Sequence, residues 1–321
     1  MKILITGGAG FIGSNLAHYL LALEGDVMVI DDLSTGLPQN VDPRSGFRRL
    51  DILDDEFLVA SREYDPDVIV HLAAQSSITI GEEQPEFTEK VNVEGTRRVI
   101  QAAKESNIER LVFASSAAVY GDPEALPLTE AMPLNPDNVY GRTKLEGERL
   151  IREELDGTDI DYALLRFSNV YGPRQTAEGE GGVVTCFCEA LLNGRAPVIY
   201  GDGEQTRDFI FVADVVEAIT WTVGGDIMFR EAGSDAAAIS TDDRGTFNIS
   251  TGEPTTIVQL LNYLRIPANF GGRARYEDAR PNDVRESVLS PAKAREIFEW
   301  TSNVDMVQGL DATWLWYSRP H

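Results

Sequence analysis

The sequence predicts an α/β fold: a doubly wound parallel sheet followed by a smaller α/β C-terminal domain. Three observations predict it. Short apolar, β-branched segments alternate with segments of helical spacing through the first half; glycines crowd the turn after the first strand; and the alternation breaks after about residue 172. In order, Lys2–Thr6 reads as a strand and Phe11–Leu23 as a helix. Val27–Asp31 is a second strand and Phe47–Leu50 a weaker third. Asp67–Leu72 is an apolar run suited to a buried parallel strand, and Phe87–Ser106 is one long helix. Arg110–Ser115 is a strand, Val139–Leu155 a helix and Asp161–Phe167 a strand. Beyond 172, Glu178–Gly182 reads as a loop, Val183–Leu192 as a helix, Pro197–Tyr200 as a strand and Asp214–Val223 as a helix. Gly224–Gly245 has no period and reads as a surface excursion. The expected division is 1–172 and 173–321, with a strand near 247–250 returning to the first sheet and a cleft between the two parts.

Composition narrows the possibilities. The 321 residues carry 28 Lys plus Arg against 52 Asp plus Glu, a net charge of −24, with 43% hydrophobic residues. This is an ordinary globular balance, long enough for about two domains. The negative field repels phosphate backbones, so no nucleic-acid partner is expected. No apolar run approaches the roughly 18 residues of a membrane span. The N-terminal apolar stretch is too short for a signal peptide, so the expected location is cytoplasmic. Lysines are few (Lys2, Lys90, Lys104, Lys144, Lys293). Many carboxylates with few lysines suit concentrated salt, where repulsion is screened; an acidic protein of ordinary cytoplasm fits equally well. Cys186 and Cys188 stand too close to staple a fold and lack the His or Cys partners of a metal site, so no metal is expected.

The glycine turn is the first motif that carries chemistry. Gly7, Gly10 and Gly13 form G-x-x-G-x-x-G between strand and helix. The first allows a tight turn, the second close approach of a pyrophosphate, the third close helix–strand packing, while the helix end offers free N–H groups. In this strand–turn–helix context it reads as the dinucleotide-binding turn of a Rossmann domain, with a purely structural turn as the competing reading. Asp31 ends the second strand, where a carboxylate meets a ribose 2′-hydroxyl; Asp32 follows, and no Arg or Lys stands at 32–40 to receive a 2′-phosphate. NAD is therefore expected rather than NADP. A loop-start aspartate is the competing reading.

Tyr140 and Lys144 open the helix after the fifth strand, one turn apart on one face. A nearby ammonium and a positive nicotinamide ring favour phenolate, which turns a tyrosine into a base near neutral pH. The strand end that carries Ser115 and Ser116 faces a cofactor in such a sheet.

Taken together and in order, these residues, with Asp51-Ile52, His71 to Gln75, Asn92-Val93-x-Gly95-Thr96, Ser115 to Gly121, Arg166 to Pro173, Gly201 to Gly203, Arg207 to Ile210, Asp214-Val215, Phe247 to Ile249 and Ala279 to Arg285, resemble the extended short-chain dehydrogenases, specifically the nucleotide-sugar epimerases of the UDP-glucose 4-epimerase type. The resemblance covers nearly the whole chain. It implies Tyr140 as the base at the sugar 4-hydroxyl, Lys144 on the nicotinamide ribose, and Ser116 on the same hydroxyl. Read from residues alone, Ser116 could equally cap backbone groups at the strand end. The resemblance places Gly7, Gly10, Phe11, Ile12, Gly13, Asp31, Ser34, Thr35, Gly36, Asp51, Ile52, Leu72, Ala73, Ala74, Gln75, Asn92, Ser115, Phe167 and Val170 around NAD. It places Ser76, Asn169, Val183, Val184, Val198, Tyr200, Arg207, Arg280 and Asp283 around the nucleotide sugar, with Asn169, Arg207 and Arg280 on the diphosphate, Tyr200 on the uracil and Asp283 on a ribose. Solvated ion pairs are the bland readings for Arg207, Arg280 and Asp283, and a core aromatic for Tyr200. His71 reads as a satisfied core histidine. A homodimer, paired through the helices over 87–106 and 139–155, is implied as well.

The implied reaction is epimerisation at C4 of a UDP-sugar through a 4-keto intermediate. Three departures bear on it. Ala117-Ala118 stand where related 4,6-dehydratases carry an Asp-Glu pair, which disfavours water elimination. Asn282 replaces the glycine of the usual Arg-Pro-Gly-Asp. Ser287 falls where the family screens 2-substituents, and its small side chain leaves room for an N-acetyl group. The rivals are a dehydratase, decarboxylase or reductase on the same scaffold and, more distantly, a non-catalytic NAD sensor.

Overall fold

The computed structural model describes residues 1–123, 125–176, 182–224, 245–280 and 284–319. Most of the Gly224–Gly245 excursion, residues 178–181 of the glycine-rich loop, and Asp283 lie outside the described residues. The strands are β1 (Lys2–Thr6), β2 (Asp26–Asp31), β3 (Gly46–Arg49), β4 (Val68–His71), β5 (Arg110–Ser116), β6 (Asp161–Phe167), β7 (Asn169–Tyr171), β8 (Val198–Tyr200), β9 (Thr206–Phe211), β10 (Thr246–Ile249), β11 (Pro254–Thr256), β12 (Arg275–Glu277) and β13 (Glu286–Ser287). The helices are α1 (Phe11–Ala22), α2 (Asp55–Tyr64), α3 (Ile78–Glu83), α4 (Pro85–Glu89), α5 (Gly95–Ser106), α6 (Val139–Leu155), α7 (Val183–Leu192), α8 (Val212–Gly224), α9 (Ile257–Arg265), α10 (Ala292–Phe298) and α11 (Met306–Tyr317).

Seven strands form one parallel sheet in the order β10-β6-β5-β4-β1-β2-β3. Its strands are apolar on both faces because helices cover both. Along β1, Ile3 and Ile5 face the helices α1 and α8, while Leu4 faces α2, α5 and α6. The chain reverses direction of travel across the sheet between β1 and β4, and ligands of such sheets bind at the carboxyl ends of the strands beside that point. The return strand expected near 247–250 is β10, parallel to β6 with Phe247 opposite Leu165. A second, mixed sheet gathers β11, β9 and β13, with β7 also on β9, and β12 pairs with β8.

One element differs from the sequence expectation in kind. The helix over 87–106 is part of a longer run interrupted by a π-helical turn at Lys90–Glu94 between α4 and α5. The extra residue in that turn sets Asn92 apart from the ordinary helical ladder, and its side chain is buried. Asn92 Oδ1 accepts the Gln75 N–H (2.7 Å), and its Nδ2 donates to Gln75 O (2.9 Å) and to Thr143 Oγ1 (2.9 Å). Helix α6 matches its expected bounds and is capped by Asn138, whose Oδ1 accepts the Gly141 N–H at 2.8 Å.

Candidate active site

The β1–α1 turn is built for close approach. Gly7 has φ +72°, and a Cβ there would lie 2.6 Å from Ala73 N; a Cβ at Gly13 would lie 2.3 Å from Gly7 O. A Cβ at Gly10 would meet only Gly7 O, at 3.2 Å, so packing demands glycine least there and a ligand in front of the turn is the better reason for it. No side chain caps the N-terminus of α1, which leaves its first N–H groups for an anion. Asp31 is buried; its carboxylate accepts the N–H of Ala9 (2.9 Å) and of Leu33 (2.8 Å), which binds the glycine turn to the loop after β2. Burial raises its pKa, against those two hydrogen bonds. Gly36 lies against the Asp31 carboxylate, while Ser34 and Thr35 are exposed and Ser34 bonds Asp32. Asp51 accepts the Leu53 N–H, and Ile52 is buried against Gly95. Sequence reasoning missed Arg49: β3 brings it beside the end of β2, where its Nε donates to Asp32 O at 3.3 Å. These features fit a dinucleotide with its pyrophosphate on the α1 N-terminus.

A cleft of about 1230 Å³ opens beyond the strand ends. It brings together Ile12, Ser76, Ser115, Ser116, Tyr140, Phe167, Asn169 and Val170 with Val183, Val198, Tyr200, Arg207 and Arg280 from the second half. Ala117, Ala118 and Ser287 line it too, as do Arg195 and Arg275, which sequence reasoning did not single out. Val184 is the exception: its side chain is 2% exposed in the hydrophobic core, because α7 turns Val183 to the cleft and Val184 inward. Leu72, Ala73, Ala74 and Gln75 form the half-buried stretch after β4, opposite the glycine turn.

Tyr140 and Lys144 keep the one-turn spacing on α6. Lys144 is buried, donates Nζ to Ala114 O at 2.9 Å and lies 5.8 Å from the Tyr140 ring centroid. Ser116 Oγ accepts the Ala118 N–H (3.2 Å), the backbone-capping role, and the residue also lines the cleft. Ser115 is different. It also borders the cleft, but its hydroxyl is given to the buried Glu148. Arg280 stacks over the Tyr200 ring at 4.1 Å, and Arg207 donates Nη1 to Thr206 O.

His71 is a satisfied core histidine. Thr96 gives its hydroxyl proton to Asn92 O (2.6 Å), so it can only accept from His71 Nε2 (3.2 Å); Nδ1 then accepts from Thr6 Oγ1 (2.8 Å). Burial, and then the Lys144 charge, push its pKa down to about 3, so the ring is neutral.

Comparison with known proteins agrees with this geometry. The model of the NAD dependent epimerase/dehydratase family matches residues 3–225. The chain is 37% identical over 319 residues to a UDP-glucose 4-epimerase of Mycolicibacterium smegmatis, covering 98% of this chain and 97% of the relative. It is similar to the structure of a Thermotoga maritima UDP-glucose 4-epimerase with UDP-glucose (TM-score 0.89, 33% identity, 99% and 98% of the two chains). It is also similar to a Bacillus cereus UDP-glucuronic acid 4-epimerase in complex with UDP-glucuronic acid and NAD (TM-score 0.86, 26% identity, 99% of each chain). With its glycine turn, buried Asp31 and shared cleft, the chain belongs to the NAD dependent epimerase/dehydratase family.

Proposed function

We propose that the protein is a UDP-sugar 4-epimerase acting on UDP-glucose and UDP-galactose. The observation that carries the reading is the meeting of Tyr140 and Ser116, with Lys144 beneath the tyrosine, in the cleft that also holds Arg207 and Arg280. Bound NAD supplies the hydride acceptor and then the donor at C4. The Lys144 ammonium favours the phenolate of Tyr140, which takes the proton from the sugar 4-hydroxyl while Ser116 orients that hydroxyl. The 4-keto sugar turns in the cleft, and Tyr140 returns the proton. Arg207, Arg280 and Asn169 hold the diphosphate, arginine through its permanent charge and planar fork; in a chain of net charge −24, such cations admit an anion that the rest of the surface repels. The first 172 residues would carry the cofactor and the rest most of the substrate, and a second copy would pair through α5 and α6.

Three lining residues refine the substrate. Ala117 and Ala118 supply no acid–base pair for dehydration. Ser287 lines the cleft and leaves room beside the sugar, which supports acceptance of N-acetyl sugars. Incubation with a panel of UDP- and dTDP-sugars, read by NMR, tests the reading. Interconversion of 4-epimers is expected, and a 6-deoxy product, CO2 or net NADH consumption would replace it. Tyr140→Phe is expected to lower turnover by at least about a hundredfold with the fold intact; near-normal turnover removes the tyrosine from the mechanism.

A further inference from the structure

Glu148 is fully buried one turn beyond Lys144 and two beyond Tyr140, on the same stripe of α6. Its Oε1 accepts the Ser115 hydroxyl and Arg166 Nε (2.9 Å); its Oε2 accepts Arg166 Nη2 (2.7 Å) and Arg152 Nη2 (3.1 Å). Ser115 and Arg166 are register partners on β5 and β6. Arg166, 1% exposed, also donates to the Tyr120 hydroxyl (2.9 Å), which donates to Asn248 on β10 (2.8 Å). One carboxylate thus binds the helix that carries Tyr140 to the strand end that carries Ser116, and through Arg166 to the turn that follows Ser116. An ion pair so deeply buried adds little stability over apolar residues of similar size, which leaves geometry as its distinctive contribution.

We propose that Glu148 is a positioning residue, fixing the height and rotation of α6 over β5 and β6 so that the Tyr140 hydroxyl stands at reacting distance from a sugar hydroxyl held by Ser116. The inference rests on the proposed epimerase reading. It separates two geometries: Tyr140 and Lys144 share α6 and move together, whereas Tyr140 and Ser116 stand on separate elements, joined through the Glu148 node and through the bond from Lys144 Nζ to Ala114 O (2.9 Å).

The test uses NAD-loaded protein and the UDP-sugar that the wild type interconverts best. Glu148→Met with Arg166→Leu removes the two most deeply buried charges at once, while Arg152, which loses the carboxylate, keeps its bond to Thr246 Oγ1 (2.8 Å); Glu148→Asp keeps the charge on a shorter arm. Folding is checked by circular dichroism and thermal melting. The double variant is expected to lose about a hundredfold in kcat with KM within about threefold. The pH midpoint of kcat should stay in place, because the Tyr140–Lys144 relation is untouched, and Glu148→Asp should recover part of the loss. A folded double variant with kcat within about threefold of wild type overturns the proposal, as does a loss that enters KM as strongly as kcat. A wild type inert toward the whole panel overturns both this proposal and the epimerase reading; an active wild type with an unaffected variant overturns this one alone.

Discussion

His71 makes the protein's acid stability predictable. In the unfolded chain the imidazole titrates near about 6.5; in the fold, burial and Lys144 push it down to about 3. The folded pKa is the lower of the two, so on acidification the unfolded state takes up the proton first. The associated stability is fully present above pH 6.5 and drains away as pH falls toward 3, at about 1.4 kcal/mol per pH unit. Between pH 7.5 and 4.5 this amounts to about 2.5 kcal/mol. Buried carboxylates are shifted as well: burial raises Asp31 and Asp208, whereas Glu148 is lowered because pairing with Arg166 outweighs its burial. A difference measurement isolates the histidine from them. Urea unfolding of the wild type and of His71→Gln, at both pH values, should show the variant losing about 2–3 kcal/mol less on acidification, whatever its stability at pH 7.5. Equal losses would refute the assignment of a buried neutral imidazole.

Two further outcomes follow from close packing and buried donors. Gly13→Ala drives a Cβ into Gly7 O and Gly8 Cα, at 2.3 and 2.7 Å, so the β1–α1 turn must open; purified protein should retain less than about a tenth of the wild-type NAD content, since the phosphate cradle is backbone. Asp208 accepts the N–H groups of Thr251 and Gly252 and the Thr251 hydroxyl at 2.7–3.0 Å. Asp208→Ala strips the acceptor from these three donors and from the longer bonds of Ser168 Oγ and the Leu289 N–H (3.4 Å each), and urea unfolding should show a loss of about 3–5 kcal/mol, at roughly 1–1.5 kcal/mol per short bond; a loss below about 1 kcal/mol would mean that water replaces the carboxylate.

The large sheet was legible because buried parallel strands such as Asp161–Phe167 are near-continuous apolar runs, and α6 because its polar and apolar residues keep helical period beside a good cap. The site's polar residues were legible as ordered motifs, and the fold brings most of them to one cleft. Helix α2 (Asp55–Tyr64) escaped because it is short, with four of its ten residues charged; α9 escaped although the Thr256 and Gln259 capping box and apolar residues at 257, 260, 261 and 264 are a helical pattern. The π-helical turn follows from how Asn92 meets Gln75 and Thr143, partners distant in sequence. The Glu148–Arg166 pair is likewise created by the packing of α6 on β6, with Ser115 brought in by the β5–β6 register, and has no signature in a linear pattern. Val184 differs from Val183 only in direction, which the helix phase decides.

The return of β10 to the edge of the large sheet ties the two halves of the chain together. A fragment ending near residue 172 would have every strand of the first half except this last one, and β6, with Leu164 and Leu165 fully buried, would then present a bare row of backbone donors and acceptors along an apolar margin. Such a piece is expected to self-associate in solution. The large sheet is therefore expected to be complete only once synthesis has passed residue 249, and evolutionary exchange of the C-terminal half for another would have to bring with it a strand that can close that margin.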